Sequence, residues 1–256
     1  MITAIVLARN EEKNIERCIK SLQWCNEIIV IDDESSDRTV ELASKLGAKV
    51  FKRALKDDFA AQRNFALEKA ANSWVLFVDA DEVVTTELSN EIMEKVKKVE
   101  YKGFKVKRID YLWGKKIRHG DIARFNYVRL GRRGVGKWRR RVDEVWEIEG
   151  KIDQLNNPLL HYPHQSVAEF LQEINFKSSL NARQFYEEGK STNLVDWFKP
   201  LATFFRSWIF KLGFLDGMAG FNIALLMSFH SFLVRSKLFL FTKSGGQTLN
   251  VKSTGL

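Results

Sequence analysis

Apolar and polar positions fall in short alternating blocks along the front of the chain. Thr3-Ala-Ile-Val-Leu-Ala8, Glu27-Ile-Ile-Val-Ile31, Lys49-Val-Phe-Lys52 and Trp74-Val-Leu-Phe-Val78 are rich in β-branched and aromatic residues. Runs of this length without internal charge are strands, and the longer ones are buried on both faces. Between them Ile15, Cys18, Ile19 and Leu22 recur at helical spacing, which predicts an amphipathic helix over residues 12–23. A second helix ends near Leu46, where Gly47 suits the left-handed position past a helix end, and a third runs from Phe59 to Ala71. Strand and helix alternating at this period mean a mostly parallel sheet with helices on both faces.

The pattern changes after Val78. Thr85 to Val99 reads as a helix whose last turns carry Lys95, Lys97 and Lys98, favourable at the negative end of a helix dipole. Gly103 to Ile109 alternates apolar and basic, as a half-exposed strand does. Tyr111 to His119 and Arg124 to Leu130 read as two further strands joined by a basic loop, and Arg132 to Arg141 is too glycine-rich for a helix. Ser166-Val-Ala-Glu169 is a capping box opening a long helix to about Glu188. Residues 197–241 are densely aromatic and carry Lys199, Arg206, Lys211, Arg235 and Lys237 against Asp216 alone. Only 18 uncharged residues separate Asp216 from Arg235, at the short limit for a spanning helix. Amphipathic helices lying in the plane of a membrane are therefore expected, with aromatics sunk and Lys/Arg at the headgroups. A soluble bundle or a homo-oligomer face is the alternative.

Charge sharpens this picture. The 256-residue chain has a formal charge of +9, but residues 95–141 hold 18 Lys and Arg against 3 Asp and Glu, a local +15 that leaves −6 for everything else. Such a patch suits phosphates, an anionic membrane or nucleic acid. Two cysteines, Cys18 and Cys25, make neither a disulfide framework nor a metal pattern, so a reducing compartment is expected. Met1 runs straight into an apolar strand with no basic segment before it, so no signal peptide is expected.

The candidate chemistry is acidic. A dinucleotide fingerprint needs glycines after the first strand, and here the turn is Ala8-Arg-Asn-Glu11. Asp32, Asp33 and Asp37 follow the second strand, and Asp79 and Asp81 follow the fourth, all at the edge where open α/β sheets bind ligands. Carboxylates do not bind phosphate directly. They hold its metal, commonly with one or two carboxylates beside the phosphate oxygens, or accept from ribose and base groups, as Asp33 is placed to do. Arg9 and Arg63 complement them, Arg63 being otherwise a plain surface-helix arginine.

Four motifs in order, Ile5-Val-Leu-Ala-Arg-Asn-Glu-Glu12, Val30-Ile-Asp-Asp-Glu-Ser-Ser-Asp-Arg-Thr39, Ala61-Gln-Arg-Asn64 and Val78-Asp-Ala-Asp-Glu82, resemble those of the family-2 glycosyltransferases with the GT-A fold. The chain is most similar to short bacterial members of the lipopolysaccharide core β-glucosyltransferase type. The resemblance implies a GT-A catalytic domain over 1–165, with a nucleotide-sugar half (1–100) and an acceptor half (101–165), then a helical membrane-associating region over 166–256. It implies that Ala8, Arg9, Asn10, Glu11, Asp33, Arg63, Asp79, Ala80 and Asp81 bind the nucleotide-sugar, with Asp33 at the base and Asp79 at ribose or sugar. Asp81 and His161 would hold Mn²⁺ or Mg²⁺, an imidazole favouring Mn²⁺; His164 is read as structural. Where these relatives usually carry a His-Glu pair, this chain has Asp143-Glu144, and inverting transfer needs a carboxylate base here: Glu144 first, Asp143 next.

The expected activity is transfer of a hexose from a UDP-sugar to a membrane-associated glycan or glycolipid, at the cytoplasmic face of a bacterial inner membrane, without nucleic acid as partner. The alternatives are a sugar-phosphate nucleotidyltransferase, for which a glycine-rich basic loop is missing, and a non-catalytic membrane or nucleic-acid binding module. A phosphatase of the haloacid dehalogenase type would need Asp79 on the first strand of its domain.

Overall fold

A computed structural model describes residues 1–141, 143–163 and 166–245. In chain order the elements are β1 (Ile2–Ala8), α1 (Ile15–Ser21), β2 (Glu27–Asp32), α2 (Thr39–Lys45), β3 (Lys49–Lys52), α3 (Phe59–Lys69), β4 (Trp74–Asp79), β5 (Glu82–Val84) and α4 (Thr86–Lys95). They continue with β6 (Tyr101–Leu112), β7 (Lys115–Lys116), β8 (Asn126–Arg132), β9 (Gly136–Arg139), β10 (Val145–Ile148), β11 (Lys151–Gln154), β12 (Leu159–His161), α5 (Val167–Glu187), α6 (Lys199–Phe205) and α7 (Gly217–Lys243). Two compact units result: Met1–Tyr111 with Phe125–Pro163, and Leu112–Arg124 with His164–Leu256.

The first unit is built on one mixed sheet in the order β3-β2-β1-β4-β8-β6-β12-β5. β3, β2, β1 and β4 run parallel, and β8 turns the sheet antiparallel on both its sides. This is the GT-A arrangement: a parallel nucleotide-binding half continued by a mixed half. Side chains alternate across the pleat. Ala4, Val6, Val30, Leu76 and Val78 pack on one face against Ile15, Cys18, Ile19, Leu88 and Ile92 of the helices. Ile5, Ile29, Ile31, Val75 and Phe77 pack on the other against Ala60, Ala66, Trp138 and Trp146. Both faces being covered is why these strands read as continuous apolar runs.

Register decides where the chemistry collects. Leu7 pairs with Asp79 and Ala8 with Asp32, so β1, β2 and β4 end at one edge. Across the sheet His161 of β12 is in register with Asp110 of β6 on one side and Glu82 of β5 on the other.

One expectation about the second half changes, and another gains detail. Gly103 to Ile109 and Tyr111 to His119 do not form separate strands: β6 continues to Leu112, and Trp113 and Gly114, both with positive φ (50° and 71°), then turn the chain. The segment Arg132 to Arg141 holds β9, which pairs antiparallel with β10 and sets Trp138 opposite Trp146. The two indoles stack at 5.5 Å, and Phe77 meets both edge-on at 5.0 and 5.2 Å. Such aromatic pairs contribute about 1 kcal/mol each beyond their burial. Gly131 lets this hairpin approach, since a Cβ there would lie 2.6 Å from Ile148 Cδ1.

In the second unit, α5 starts as expected, with Ser166 Oγ accepting from Glu169 N. Within the C-terminal helical extension, α7 departs from the amphipathic pattern. α7 is a single 27-residue helix whose apolar positions run round its circumference. Its buried positions are Gly220, Ile223, Ala224, Ser231, Val234, Leu238 and Phe241, while Leu225, Phe229 and Phe232 are exposed. Large apolar residues thus lie on both sides, and hydrophobicity is not sorted to one face. Gly213–Lys243 is long and apolar enough to cross a membrane by length and composition. His164 lies outside the described residues.

Candidate active site

The carboxyl ends of β1 and β2 are tied together by side chains reaching backbone groups. Ala8 O accepts from Asp33 N, Asn10 N donates to Ser35 Oγ, and Asn10 Oδ1 accepts from Ser36 N. Asn10 and Glu34 take left-handed backbone (φ 53° and 54°), a conformation short polar side chains tolerate best. Asp33 is buried; its Oδ1 accepts from Leu55 N at 2.6 Å and its Oδ2 lies 3.2 Å from Arg9 Nη1. Glu11 sits behind this loop, its backbone N–H on Thr39 Oγ1 at 2.7 Å. Burial, then the charge of Asp81, with smaller contributions from Asp37 and Asp79, pushes its carboxyl up to about 7.

β4 delivers Asp79 into a web of guanidinium groups. Arg129 holds it with both Nη atoms, at 3.2 and 2.8 Å, and also reaches Glu82 Oε1 at 3.4 Å. Arg63 donates from Nη2 to Asp79 Oδ1 at 3.0 Å and from Nε to Glu144 Oε1 at 2.8 Å. Burial alone would raise the Asp79 pKa, but the charges of Arg129 and Arg63 hold it well below the usual carboxylate range. Arg63 is itself 5% exposed, with its Cζ 4.7 Å from the Trp138 ring centre. Its Nη1 is buried with no hydrogen-bond partner among the described residues. The neighbouring Asn64 bonds Trp138 N and O, both at 2.9 Å, so the Gln-Arg-Asn motif aims the arginine and pins the hairpin beneath it.

Ala80 is buried at the turn after β4. Asp81 Oδ2 lies 3.0 Å from His161 Nε2, while His161 Nδ1 lies 2.6 Å from Asp110 Oδ1. Burial would lower the imidazole pKa, yet the Asp81 charge and hydrogen bonds to both carboxylates raise it to about 9. Burial likewise works against the Asp81 carboxylate, and the His161 charge brings its pKa below the usual value. Tyr162, whose N–H donates to Asp81 O, stacks on Tyr111 at 5.2 Å.

The predicted residues therefore form two neighbouring groups, Asp79–Arg63–Glu144 and Asp81–His161, beside the Arg9–Asp33 loop. Asp143 stands apart from these bonds, exposed and with left-handed backbone (φ 50°). Two of the arginines near Glu144 in sequence reach other acids: Arg139 lies 3.5 Å from Glu147 and Arg141 4.0 Å from Asp58. Arg129, Asp110, Glu82 and Arg108, whose Nε is 2.9 Å from Asp110 Oδ1, were not predicted. The available signal was a charge at a buried strand position, Asp110 in β6 and Arg129 in β8, which costs too much unless paired.

An α/β sheet whose parallel strands end in spaced carboxylates, with a histidine and a second carboxylate brought in from its mixed half, defines a GT-A sugar-transferring enzyme. The chain belongs to glycosyl transferase family 2, whose profile matches residues 3–147. It is 28% identical over 265 residues to an uncharacterized glycosyltransferase of Rickettsia conorii, covering 93% of this chain and 89% of that one. It is 29% identical over 247 residues to the lipopolysaccharide core biosynthesis glycosyltransferase LpsC of Rhizobium meliloti, covering 93% and 92%. Glucosyl-3-phosphoglycerate synthase from Mycobacterium tuberculosis, solved with Mn²⁺, UDP and glucosyl-3-phosphoglycerate, aligns at 22% identity and a TM-score of 0.37, covering 43% of this chain and 44% of that one.

Proposed function

We propose that this glycosyltransferase moves a hexose from a UDP-sugar to a hydroxyl of a membrane-associated glycan or glycolipid, with inversion at the anomeric carbon and a divalent cation at the diphosphate. The observation that carries this reading is Arg63 bridging Asp79 and Glu144 with a buried, unpartnered Nη1. A donor on one side and a base on the other, joined by a cation with a spare N–H, suit a sugar diphosphate lying between them.

The side chains fit the implied ion. Asp81 and His161 Nε2 are 3.0 Å apart, and Asp110 on Nδ1 fixes the ring as a second-shell carboxylate does. Among the described residues no group of three or more His, Cys, Asp or Glu forms a complete cage, as expected where the substrate diphosphate supplies the remaining oxygens. Asp81 and His161 would hold Mn²⁺ or Mg²⁺, which when bound would supply charge neutralisation at the departing diphosphate. Asp33 and Arg9 orient the base and ribose, with Ala8, Asn10, Glu11 and Ala80 shaping the walls. Asp79, held rigid by two arginines, accepts from ribose or sugar hydroxyls. Glu144 takes the acceptor hydroxyl proton on Oε2 as that oxygen bonds to the anomeric carbon, and the carbon–oxygen bond to UDP breaks in the same displacement.

Two observations support the acceptor reading: the apolar helices and basic residues of the second unit suit the cytoplasmic face of a bacterial membrane, and the chain is similar to a lipopolysaccharide core enzyme. The test is a donor screen by mass spectrometry with membrane lipid extract as acceptor. One UDP-hexose should add a hexose mass to a lipid fraction and release UDP. Asp81→Ala should abolish both transfer and metal-dependent UDP binding in titration calorimetry. Donor use that ignores added metal, or unchanged binding in that variant, overturns the reading.

A further inference from the structure

The stretches 112–124 and 197–241 of the second unit hold nine Lys and Arg against two acids, Asp121 and Asp216, and both acids are spent inside the unit. Asp216 Oδ2 accepts from Arg118 N and His119 N at 3.0 and 2.8 Å, and its backbone O accepts from Lys115 Nζ at 2.7 Å. Asp121 pairs with Lys211 at 2.5 Å and Arg206 at 3.1 Å, while Gly120 N donates to Lys211 O. These bonds clamp the 115–121 loop onto the turns between α6 and α7, with Lys115 and Arg118 exposed.

Beside this basic loop lies an apolar surface of unusual density. From Leu194 to Met218 the exposed positions include Phe198 (68%), Leu201, Phe205, Phe210 (79%) and Met218 (72%). A contiguous face of this kind on a monomer marks an interaction site. Lys199, paired with Asp196 at 2.5 Å, and Arg206, paired with Asp121, stand exposed among these side chains. With the basic charges of the loop beside them that make no ion pair among the described residues, the mixture matches acyl chains beneath anionic headgroups.

α7 is tethered in a way that opposes crossing. Lys237 Nζ donates to Asn175 O and to Ser178 and Ser179 Oγ of α5 at 2.6–2.7 Å. α5 carries Glu169, Glu173, Lys177, Arg183 and Glu187, so the last third of α7 is fastened to a water-facing helix. The uncharged part that remains, 18 residues between Asp216 and Arg235, is about 27 Å long, at the short limit for the ~30 Å hydrocarbon core.

We propose that the second unit seats on an anionic bilayer without spanning it. The apolar positions of 194–218 enter the acyl region, and the 115–118 loop with Lys199 and Arg206 meets the lipid phosphates. The proposal rests on the membrane-bound acceptor given above and adds the face, the depth and the lipid charge.

The full chain should bind phosphatidylcholine vesicles weakly and vesicles containing phosphatidylglycerol strongly. Phe198→Ser/Phe205→Ser/Phe210→Ser should lower affinity at least tenfold on both. Lys116→Gln/Arg118→Gln should lower it only on the anionic vesicles, about fivefold per lost charge. Circular dichroism checks that each variant is folded, and UDP-sugar binding should stay at the wild-type level. With protein added outside sealed vesicles, Ser244→Cys should be labelled by an impermeant maleimide above the wild-type signal from Cys18 and Cys25. Protection of that residue means a spanning helix and overturns the proposal. So does vesicle binding that survives the triple change while self-association in sedimentation is lost, since the face then joins two copies. Absent vesicle binding with intact transfer to a solubilised acceptor removes the seat and leaves the activity standing; the reverse outcome removes the activity and leaves the seat.

Discussion

Glu144 and Asp143 are neighbours in the chain but occupy different environments. Glu144 reaches Arg63 at 2.8 Å, while Asp143 is exposed on left-handed backbone. Removing a general base typically costs about 10²–10⁴-fold in rate, whereas losing a surface charge costs little. Glu144→Gln should therefore lower kcat by roughly that factor with UDP-sugar affinity nearly unchanged, and Asp143→Asn by less than about tenfold, as steady-state kinetics with a true acceptor would measure. Glu11 supports a second prediction. Its carboxyl is raised from 4.5 to about 7, so the folded metal-free protein keeps a proton that the unfolded chain gives up. Its contribution to stability is complete below about pH 4.5 and is lost as pH rises through about 7. Glu11→Gln should gain stability relative to wild type across that window and hold the gain above it. Urea melts in chelator at a series of pH values check this, and a difference independent of pH would mean the acids around Glu11 do not press on it.

At the scale of elements, the site depends on a hairpin that makes no contact with substrate in the proposed mechanism. β9 and β10 stack Trp138 on Trp146 under Phe77, and Asn64 bonds Trp138 twice. Trp138 then forms the surface over which the Arg63 guanidinium lies. Asn64→Ala removes two hydrogen bonds worth about 1 kcal/mol each and frees the hairpin under Arg63. It should reduce kcat by more than tenfold with a modest loss of thermal stability. A variant that melts earlier but turns over normally would show that the hairpin only stabilises the fold. The motif around Asn64 was legible in the sequence, but its second role was not, because its partner lies 74 residues away.

For the whole molecule, the donor site belongs to the first unit alone, every residue of it lying within Met1–Tyr111 or Phe125–Pro163. A ligand that binds only the folded state stabilises it by about 2.7 kcal/mol at one hundred times its Kd, which for a domain of this size is roughly 5–10 °C. UDP with Mn²⁺ should raise the first unit's transition by that amount, UDP in chelator by clearly less, and phosphatidylglycerol vesicles should affect the second unit. Calorimetry with each addition separates these. A shift from UDP that chelator does not reduce would remove the cation from the donor site.

The amino-acid sequence determined the parallel half of the sheet, because strands buried on both faces must be apolar throughout and their helices must repeat at 3.6 residues. It also located the acidic edge, since Asp33, Asp79 and Asp81 directly follow such strands and the motifs there match the family. It did not reveal Arg129, Asp110 or Glu82 as partners, nor that Glu144 bonds Arg63 from a distant helix. Those pairings join residues 47–81 positions apart, and only strand order and register decide which buried charges meet. The C-terminal helices show the same division. Composition marked them as apolar, basic and membrane-like, but packing decided which apolar residues of α7 are buried, Ile223, Leu238 and Phe241 among them, and which, like Leu225, Phe229 and Phe232, stay exposed, because apolar residues occur all round the helix and only its neighbours select a buried side.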